Sequence, residues 1–389
     1  MAEAQIVGWA HNRFGKSAAK DTTELMAEVV RPALDHAGVT AAEVDGIFVG
    51  AFNNGFQAQD FQGALVGMGA PELAQVPAVR LENACATGSA AINAAMDFIA
   101  SGRGRIALVV GAEKMTAIPT MEVGDILLKA SWREEEAGTP GGFAGVFGLI
   151  ASNYFQRYGD RSEELAMIAA KNHENGAKNP YAQLQKDLGF DFCNTVSDKN
   201  PYVAGPLRRT DCSLVSDGAA ALVLADAEVA AGMARAIAFR ARAQANDIMA
   251  LSRRDPTAFD GGRRAWRQAL DRAGLAIGDL DFVETHDCFT MAEMIEYEIM
   301  GLAAPGEGWK VIREGRTRMG GELPVNPSGG LKSKGHPIGA TGVSQHVMAA
   351  MQLMGEAGDM QVPEAELAGI FNMGGAAVAN YVSILERAK

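Results

Sequence analysis

Four residues combine reactive side chains with places where a turn gives way to a helix or a strand ends: Cys85, His286, Cys288 and His336. Cys85 lies in Asn83-Ala84-Cys85-Ala86-Thr87-Gly88-Ser89-Ala90-Ala91-Ile92, a turn running into a helix of small residues. A thiol at a helix start meets unpaired N–H groups and the positive end of the helix dipole, which favours the nucleophilic thiolate. His336 lies in a stretch, Asn326 to Gly342, that is too rich in Gly and Pro for regular structure until the histidine. Beyond it Val343, His346, Val347, Ala350, Met351 and Met354 recur at helical spacing. Pro337 takes a first-turn position, and a histidine at such a start is biased toward its neutral form. Each stretch also has a plain structural reading, a Gly-rich turn or a buried Cys acting as a small hydrophobe. The shared frame, Cys85-x-x-Gly88 against His336-x-x-Gly339, favours chemistry.

A nucleophilic Cys, a second thiol and two imidazoles suit acyl transfer coupled to carbon–carbon bond making or breaking. Cys85 would carry the acyl group as a thioester. Cys288 would move the α-carbon proton, or the thiol proton of an incoming carrier. Removing an α-proton requires a stabilised enolate oxygen, which imidazole donors at His286 and His336 would supply. A second oxyanion hole would come from the Cys85 amide and a Gly amide of the Gly374-Gly375 turn. Other candidates read as structure. Met291, Met294, Met300, Met348, Met351 and Met354 read as core, and His346 as a residue of an apolar helix face. His173 reads as a surface or loop-domain histidine. Lys332 and Lys334 read as solvated, with a role near ligand phosphates as the alternative.

The elements that must position these groups repeat. Ala33-Leu34-Asp35-His36-Ala37-Gly38-Val39 matches Ala269-Leu270-Asp271-Arg272-Ala273-Gly274-Leu275, an offset of 236 (269 − 33). Cys85 and His336 follow at an offset of 251 (336 − 85), and the apolar strand Ile106 to Val110 corresponds to Leu367 to Phe371. A collinear series of this kind predicts a duplication of βα halves, with the reactive helix starts facing one another at the junction. Strands are expected at Ile6–Ala10, Val44–Val49, Val76–Leu81, Ser213–Leu224, Ile237–Ala245, Asp281–Thr285 and Val378–Leu385. Helices are expected at Thr23–Ala37, Ser162–Asn175 and Arg263–Ala273. Residues 115–210 have no counterpart and read as an inserted loop domain covering the site. The division is 1–235 and 236–389.

With 389 residues the chain can bury a large core, and 48% hydrophobic with 21% charged residues is a globular composition. A net charge of −12 without a basic run argues against nucleic acid as a partner. Four cysteines without metal-ligand spacing point to a reducing, cytoplasmic setting and no metal site. No apolar run approaches the roughly 20 residues of a membrane span, and Met1 to Val7 resembles neither a secretory signal nor a transit segment.

Taken together, Asn83-Ala84-Cys85-Ala86-Thr87-Gly88, His286-Asp287-Cys288-Phe289, Asn326-Pro327-Ser328-Gly329-Gly330 and Gly335-His336-Pro337 resemble the thiolase superfamily. Within it they resemble the sterol-carrier-protein type, the acetyl-CoA acetyltransferase and lipid-transfer-protein thiolases. Lys171-Asn172-His173, Asn179-Pro180-Tyr181 and Ser216-Asp217-Gly218-Ala219-Ala220 extend the likeness. The resemblance implies an α/β fold of two duplicated βαβαβαββ halves in a five-layered α-β-α-β-α core with a loop domain. It implies lipid metabolism, coenzyme A thioesters as substrates, no bound cofactor, and a homodimer or homotetramer. Cys85 matches the acylated nucleophile and His336 the histidine that activates it and contributes to an oxyanion hole. His286 and Cys288 match positions that bind the enolate oxygen and act as acid and base. Asn326, Gly374 and Gly375 match oxyanion or substrate-binding positions.

One departure stands out. Where ordinary thiolases keep a catalytic Cys before the last strand, this chain reads Asn372-Met373-Gly374, so that role falls to Cys288. Unlike in the two-domain members, no lipid-carrier domain is expected after residue 389. Two alternatives stay open beside a 3-ketoacyl-CoA thiolase. One is a coenzyme A-independent C-acyltransferase of a small phenolic acceptor, working in a complex with a small zinc-ribbon/OB-fold protein. The other is a non-catalytic acyl-lipid binding subunit.

Overall fold

The computed structural model describes residues 4–389; residues 1–3, part of the stretch read for targeting signals, lie outside it. The first strand, β1 (Ala4–His11), leads into helix α1 (Thr22–Ala37). The Asp21 carboxylate caps that helix, accepting from the amides of Thr23 and Glu24, and Gly38 ends it in the left-handed region at φ 70°. Strands β2 (Gly46–Gly50), β3 (Ala78–Leu81) and β4 (Ile106–Glu113) follow, with helix α2 (Thr87–Ala100) between the last two. Helices α3 (Phe143–Tyr158) and α4 (Ser162–Gly176) belong to the long segment before β5 (Gly218–Asp226). The rest runs β6 (Ile237–Asn246), α5 (Asp260–Ala273), β7 (Phe282–Glu284), α6 (Thr290–Met300), α7 (Ile338–Leu353), β8 (Leu367–Gly374) and β9 (Ala379–Arg387).

The strands form a nine-stranded sheet in the order β3-β2-β4-β5-β1-β6-β9-β8-β7. Its two wings repeat. β2 runs parallel to β4, which is antiparallel to β5, and β5 is antiparallel to β1. Likewise β7 runs parallel to β8, β8 is antiparallel to β9, and β9 to β6. The counterpart of β3 is a single parallel bridge from Val283 to Val325. The wings meet where Gln5 and Ile6 of β1 pair with Ala238 and Ile237 of β6.

Alternation within the strands sets the layers. On β2 and β4, Ile47, Val49, Leu108 and Val110 face Leu25, Met26, Val29 and Val30 of α1. The intervening Phe48, Ala107 and Val109 face Ile92 and Ala95 of α2 and Val343 and Val347 of α7. From the other wing Ala368 and Ile370 close on the same central pair, while Phe371 and Ile384 face Trp266 and Ala269 of α5. The result is helix, sheet, paired helices, sheet, helix: the five layers that the resemblance implies. α7 is buried on nearly all sides because sheet lies on both of its faces.

The expected strand from Ser213 begins only at Gly218. Before it, the amide of Ser213 donates to the Cys288 carbonyl at 2.8 Å and Cys212 bridges to Phe289, so this piece is diverted to wall the site. Lys332 and Lys334 are not solvated, and His173 is not on the surface: all three are buried. The short helix Gly330–Lys334 is wedged between α4 and the His286 loop, where Gly329 lies against Gly176 and Gly330 against the Asp287 carboxylate, leaving no room for side chains at either glycine. Among the described residues no helix is long and apolar enough to cross a membrane.

Candidate active site

The two central helices bring the reactive groups together. α2 and α7 cross near their N-termini, where a Cβ on Gly88 would lie 2.6 Å from the Val343 amide nitrogen. Only glycine permits that approach. Gly339 is equally confined, since a Cβ there would lie 2.5 Å from the carbonyl oxygens of Ala112 and Gly50. The Cys85 sulfur and one ring nitrogen each of His286 and His336 consequently lie within 4.8 Å of one another. The two imidazoles meet edge to face with ring centres 5.0 Å apart. Cys85, Cys288 and His336 line one cavity of about 480 Å³ with Met115, Val123, Leu127, Phe143, Leu214 and Phe289.

Each group is held by specific neighbours. Ala84, immediately before Cys85, has φ 50°, a left-handed conformation that costs a non-glycine residue on the order of 1 kcal/mol or more. Thr87 stabilises the turn: its hydroxyl donates to the Ala84 carbonyl at 2.6 Å and accepts from the Asn83 amide at 2.8 Å. The backbone N–H groups of Gly375 and of Cys85 itself act on the Cys85 sulfur in favour of its ionised form. Donors of that kind are what the expected hole for a tetrahedral species needs. Gly374 contributes close approach instead, with no room for a side chain between it and the Cys85 turn.

Around His336, Ser216 accepts from its backbone N–H at 3.0 Å, and Thr341 Oγ1 lies 2.7 Å from its Nδ1. The His286 loop is fixed by motifs from three parts of the chain. The Asp287 carboxylate accepts from the amides of Leu331 and Lys332 and from Asn172 Nδ2 at 2.6, 3.1 and 2.8 Å. Asn172 also donates to Glu293, which pairs with Lys171 at 2.6 Å with both charges buried. Asn326 belongs to this scaffold and not to the cavity wall. Its Oδ1 accepts from the Thr285 amide at 2.8 Å and its Nδ2 donates to Glu293 at 3.1 Å, which turns both ends of the amide into the scaffold.

Burial dominates the electrostatics. It pushes the Cys85 thiol up to about 12, against the pull of the Gly375 amide. The expected resting thiolate is therefore corrected: desolvation outweighs the helix end. Burial and the Lys334 ammonium hold His336 down to about 3, and burial with neighbouring His336 holds His286 well below the usual histidine range. Cys288 is pushed well up, by burial first and then by Cys85. The resting site is thus a set of neutral thiols and neutral imidazoles. Cys85, His286 and His336 are also a donor set suited to a soft divalent ion, though nothing in the acyl chemistry needs one.

Glu113 escaped the sequence reading. It ends β4 and accepts from the amides of Phe52, Asn53 and Gly339, tying the start of α7 to the sheet. A carboxylate at the end of an otherwise apolar strand was its one signal. Thr341, five residues after His336, had none beyond helical proximity.

Comparison with known proteins places this arrangement. The family described as "Thiolase, N-terminal domain" matches residues 4–228 and "Thiolase C-terminal domain-like" matches residues 243–387. The chain belongs to the thiolase family and is an acyltransferase of that type. It is 37% identical to an acetyl-CoA acetyltransferase of Methanothermobacter thermautotrophicus, with 100% of each chain covered. It is 32% identical to human sterol carrier protein 2, covering 95% of this chain and 69% of that protein. Among solved structures, the Ltp2-ChsH2(DUF35) aldolase superposes with a TM-score of 0.83 at 20% identity, covering 100% of this chain and 98% of that one. The acetyl-CoA acetyltransferase of Syntrophomonas wolfei gives 0.74 at 17% identity, covering 100% of both. Both share the fold.

Proposed function

We propose that the protein is an acetyl-CoA C-acyltransferase that makes or cleaves 3-ketoacyl-CoA through an acyl thioester on Cys85. The observation that carries this reading is the meeting of the Cys85 sulfur with His286 and His336 within 4.8 Å, beside Cys288 in an apolar cavity. In the acylation step, His336 takes the Cys85 proton as the sulfur attacks the thioester carbonyl. The Cys85 and Gly375 amides stabilise the oxyanion, and the coenzyme A thiolate leaves with the proton from His336. In the condensation step, Cys288 passes its proton to His336 and, as the thiolate, removes the α-proton of a second thioester while His286 donates to its enolate oxygen. The enolate carbon then attacks the acyl group, and Cys85 leaves as a thiolate that takes the proton back from His336. Cleavage is the reverse. Exposed Arg209 lines the cavity and is suited to a carrier phosphate. The division of the chain near residue 236, a homo-oligomeric state and a reducing cytoplasmic setting belong to the same reading.

Incubation with acetyl-CoA followed by intact mass tests it. A single acetyl adduct that vanishes in Cys85→Ala is expected; no adduct, or one that survives the substitution, refutes the reading and favours an acyl-lipid binding role.

One observation favours a second reading. Asn372 stands where ordinary thiolases carry a Cys, and the structural relative Ltp2-ChsH2 is named as a two-protein assembly. A coenzyme A-independent acyltransferase requiring a small zinc-ribbon/OB-fold partner would leave the lone chain unable to cleave acetoacetyl-CoA with free coenzyme A. Cleavage at enzyme-like rates by the lone chain removes this reading.

A further inference from the structure

The residue that replaces the usual Cys is fully buried and uses its whole amide. Asn372 Nδ2 lies 3.1 Å from the Cys85 carbonyl oxygen and 2.9 Å from His286 Nδ1. Its Oδ1 accepts from the Ser89 hydroxyl at 2.8 Å. That oxygen sits in a cradle shaped for it, since a Cβ on Gly342 would lie 2.5 Å away. The orientation of the amide follows from chemistry. A backbone carbonyl has lone pairs only, so the atom facing the Cys85 oxygen must be the NH₂ group. The other hydrogen of that group then points at His286 Nδ1, which must accept it. A neutral imidazole has one N–H. With Nδ1 accepting, the His286 proton resides on Nε2, and Nε2 is buried with no protein partner.

His336 is set the opposite way. The Thr341 hydroxyl lies 2.9 Å from the Pro337 carbonyl oxygen, a spacing between two oxygens that is favourable only with the hydroxyl proton between them. Thr341 Oγ1 is then free to accept, and His336 Nδ1 donates to it at 2.7 Å. This leaves His336 Nε2 without a proton.

We propose that Asn372 is a positioning residue that fixes His286 as an Nε2–H donor, so that the two imidazoles beside Cys85 stand in opposite tautomers and divide the work of donor and base. The proposal rests on the acyltransferase reading for its consequence: a donor is what an enolate oxygen needs, and a bare nitrogen is what a thiol proton needs. In this account the replacement of Cys by Asn is not a loss. It moves proton transfer to Cys288 and supplies the group that readies His286.

Ring-nitrogen correlation spectra of the full-length, ¹⁵N-histidine-labelled protein test the tautomers directly, with His286 and His336 assigned by His286→Gln and His336→Gln. His286 protonated on Nε2 and His336 on Nδ1 is expected; His286 protonated on Nδ1, or a mixture of its two forms, overturns the proposal. The wild-type spectrum needs neither turnover nor a foldable variant of Asn372, so it fails independently of the acyl-enzyme test on Cys85. Asn372→Leu removes the NH₂ group that Nδ1 accepts and is expected to let the His286 proton move onto Nδ1. With it kcat for acetoacetyl-CoA cleavage falls about 10²-fold, the cost of one oxyanion donor, while KM changes less than about threefold. An unmoved His286 tautomer in a folded Asn372→Leu protein also overturns the proposal.

Discussion

The Glu113 carboxylate accepts the backbone N–H of Gly339 at 3.0 Å, so the end of strand β4 holds the start of the helix that carries His336. Its other bonds, to the amides of Phe52 and Asn53, make it a three-way clasp beneath the site. Burial raises this carboxyl from 4.5 to about 7. An acid with a raised folded pKa is most stabilising while protonated in both states. Its contribution falls as pH rises from about 4.5, where the unfolded chain ionises, to about 7, and is flat above. Glu113→Gln is expected to remove on the order of 3 kcal/mol of this pH dependence, seen as a flatter urea-unfolding free energy between pH 5 and 8. It is also expected to slow Cys85 acylation about tenfold, because the start of α7 loses part of its anchor. An unchanged pH slope would mean that Glu113 is ionised throughout.

A resting thiol near 12 beside a histidine near 3 predicts a particular reactivity. Iodoacetamide is expected to alkylate Cys85 slowly at pH 7, with a rate that keeps rising beyond pH 9. Acetyl-CoA is expected to acylate it readily, because His336 takes the proton only as the new bond forms. His336→Ala therefore lowers acylation about 10²- to 10⁴-fold and leaves alkylation within a few-fold. A plateau in alkylation near pH 7 would show a preformed thiolate and contradict the burial argument.

The pair Lys171–Glu293 makes a prediction about stability. Both groups are buried, and Lys171 also donates to the Val325 carbonyl at 2.7 Å. Lys171→Met strands a carboxylate that also receives Asn172 and Asn326, at a cost of roughly 3–5 kcal/mol. Adding Glu293→Gln to Lys171→Met is expected to recover part of that loss, because no charge then remains unpaired. Urea unfolding of the two single variants and the double variant measures the coupling. Strict additivity would place these residues outside one network.

Much of this was legible in the sequence for a physical reason. The duplicated heptad around Gly38 and Gly274 carries its own signal: both glycines end helices in the left-handed region, at φ 70° and 67°. The frame shared by Cys85 and His336 marks two helix starts that the glycines at 88, 339 and 342 allow to converge. What was not legible depends on contacts distant in sequence. Lys332 and Lys334 look like solvent-facing charges until the fold buries them between α4 and the His286 loop. The Cys85 thiol looks activated by its helix until desolvation is counted. Asn326 looks like a ligand-binding amide until Thr285 and Glu293 take both of its ends. Helical spacing and turn chemistry are local, whereas burial is a property of the assembled core.

The cavity supplies the last prediction. Its volume of about 480 Å³ far exceeds an acetyl group, and its wall is apolar on the side of Val123, Leu127, Phe143 and Phe289. Phe289 is stacked on Phe147 with ring centres 4.3 Å apart, so that wall does not readily yield. Each buried methylene of an acyl chain is worth about 0.8 kcal/mol. Four extra methylenes thus correspond to on the order of 10²-fold in kcat/KM if they lie along this wall. Val123→Trp fills the space and is expected to remove about that factor for an eight-carbon 3-ketoacyl-CoA, while changing acetoacetyl-CoA cleavage less than threefold. The ratio of the two kcat/KM values is the readout, since a general loss of folding would lower both equally. An equal loss for short and long substrates would place the acyl chain elsewhere and leave this wall to the carrier arm.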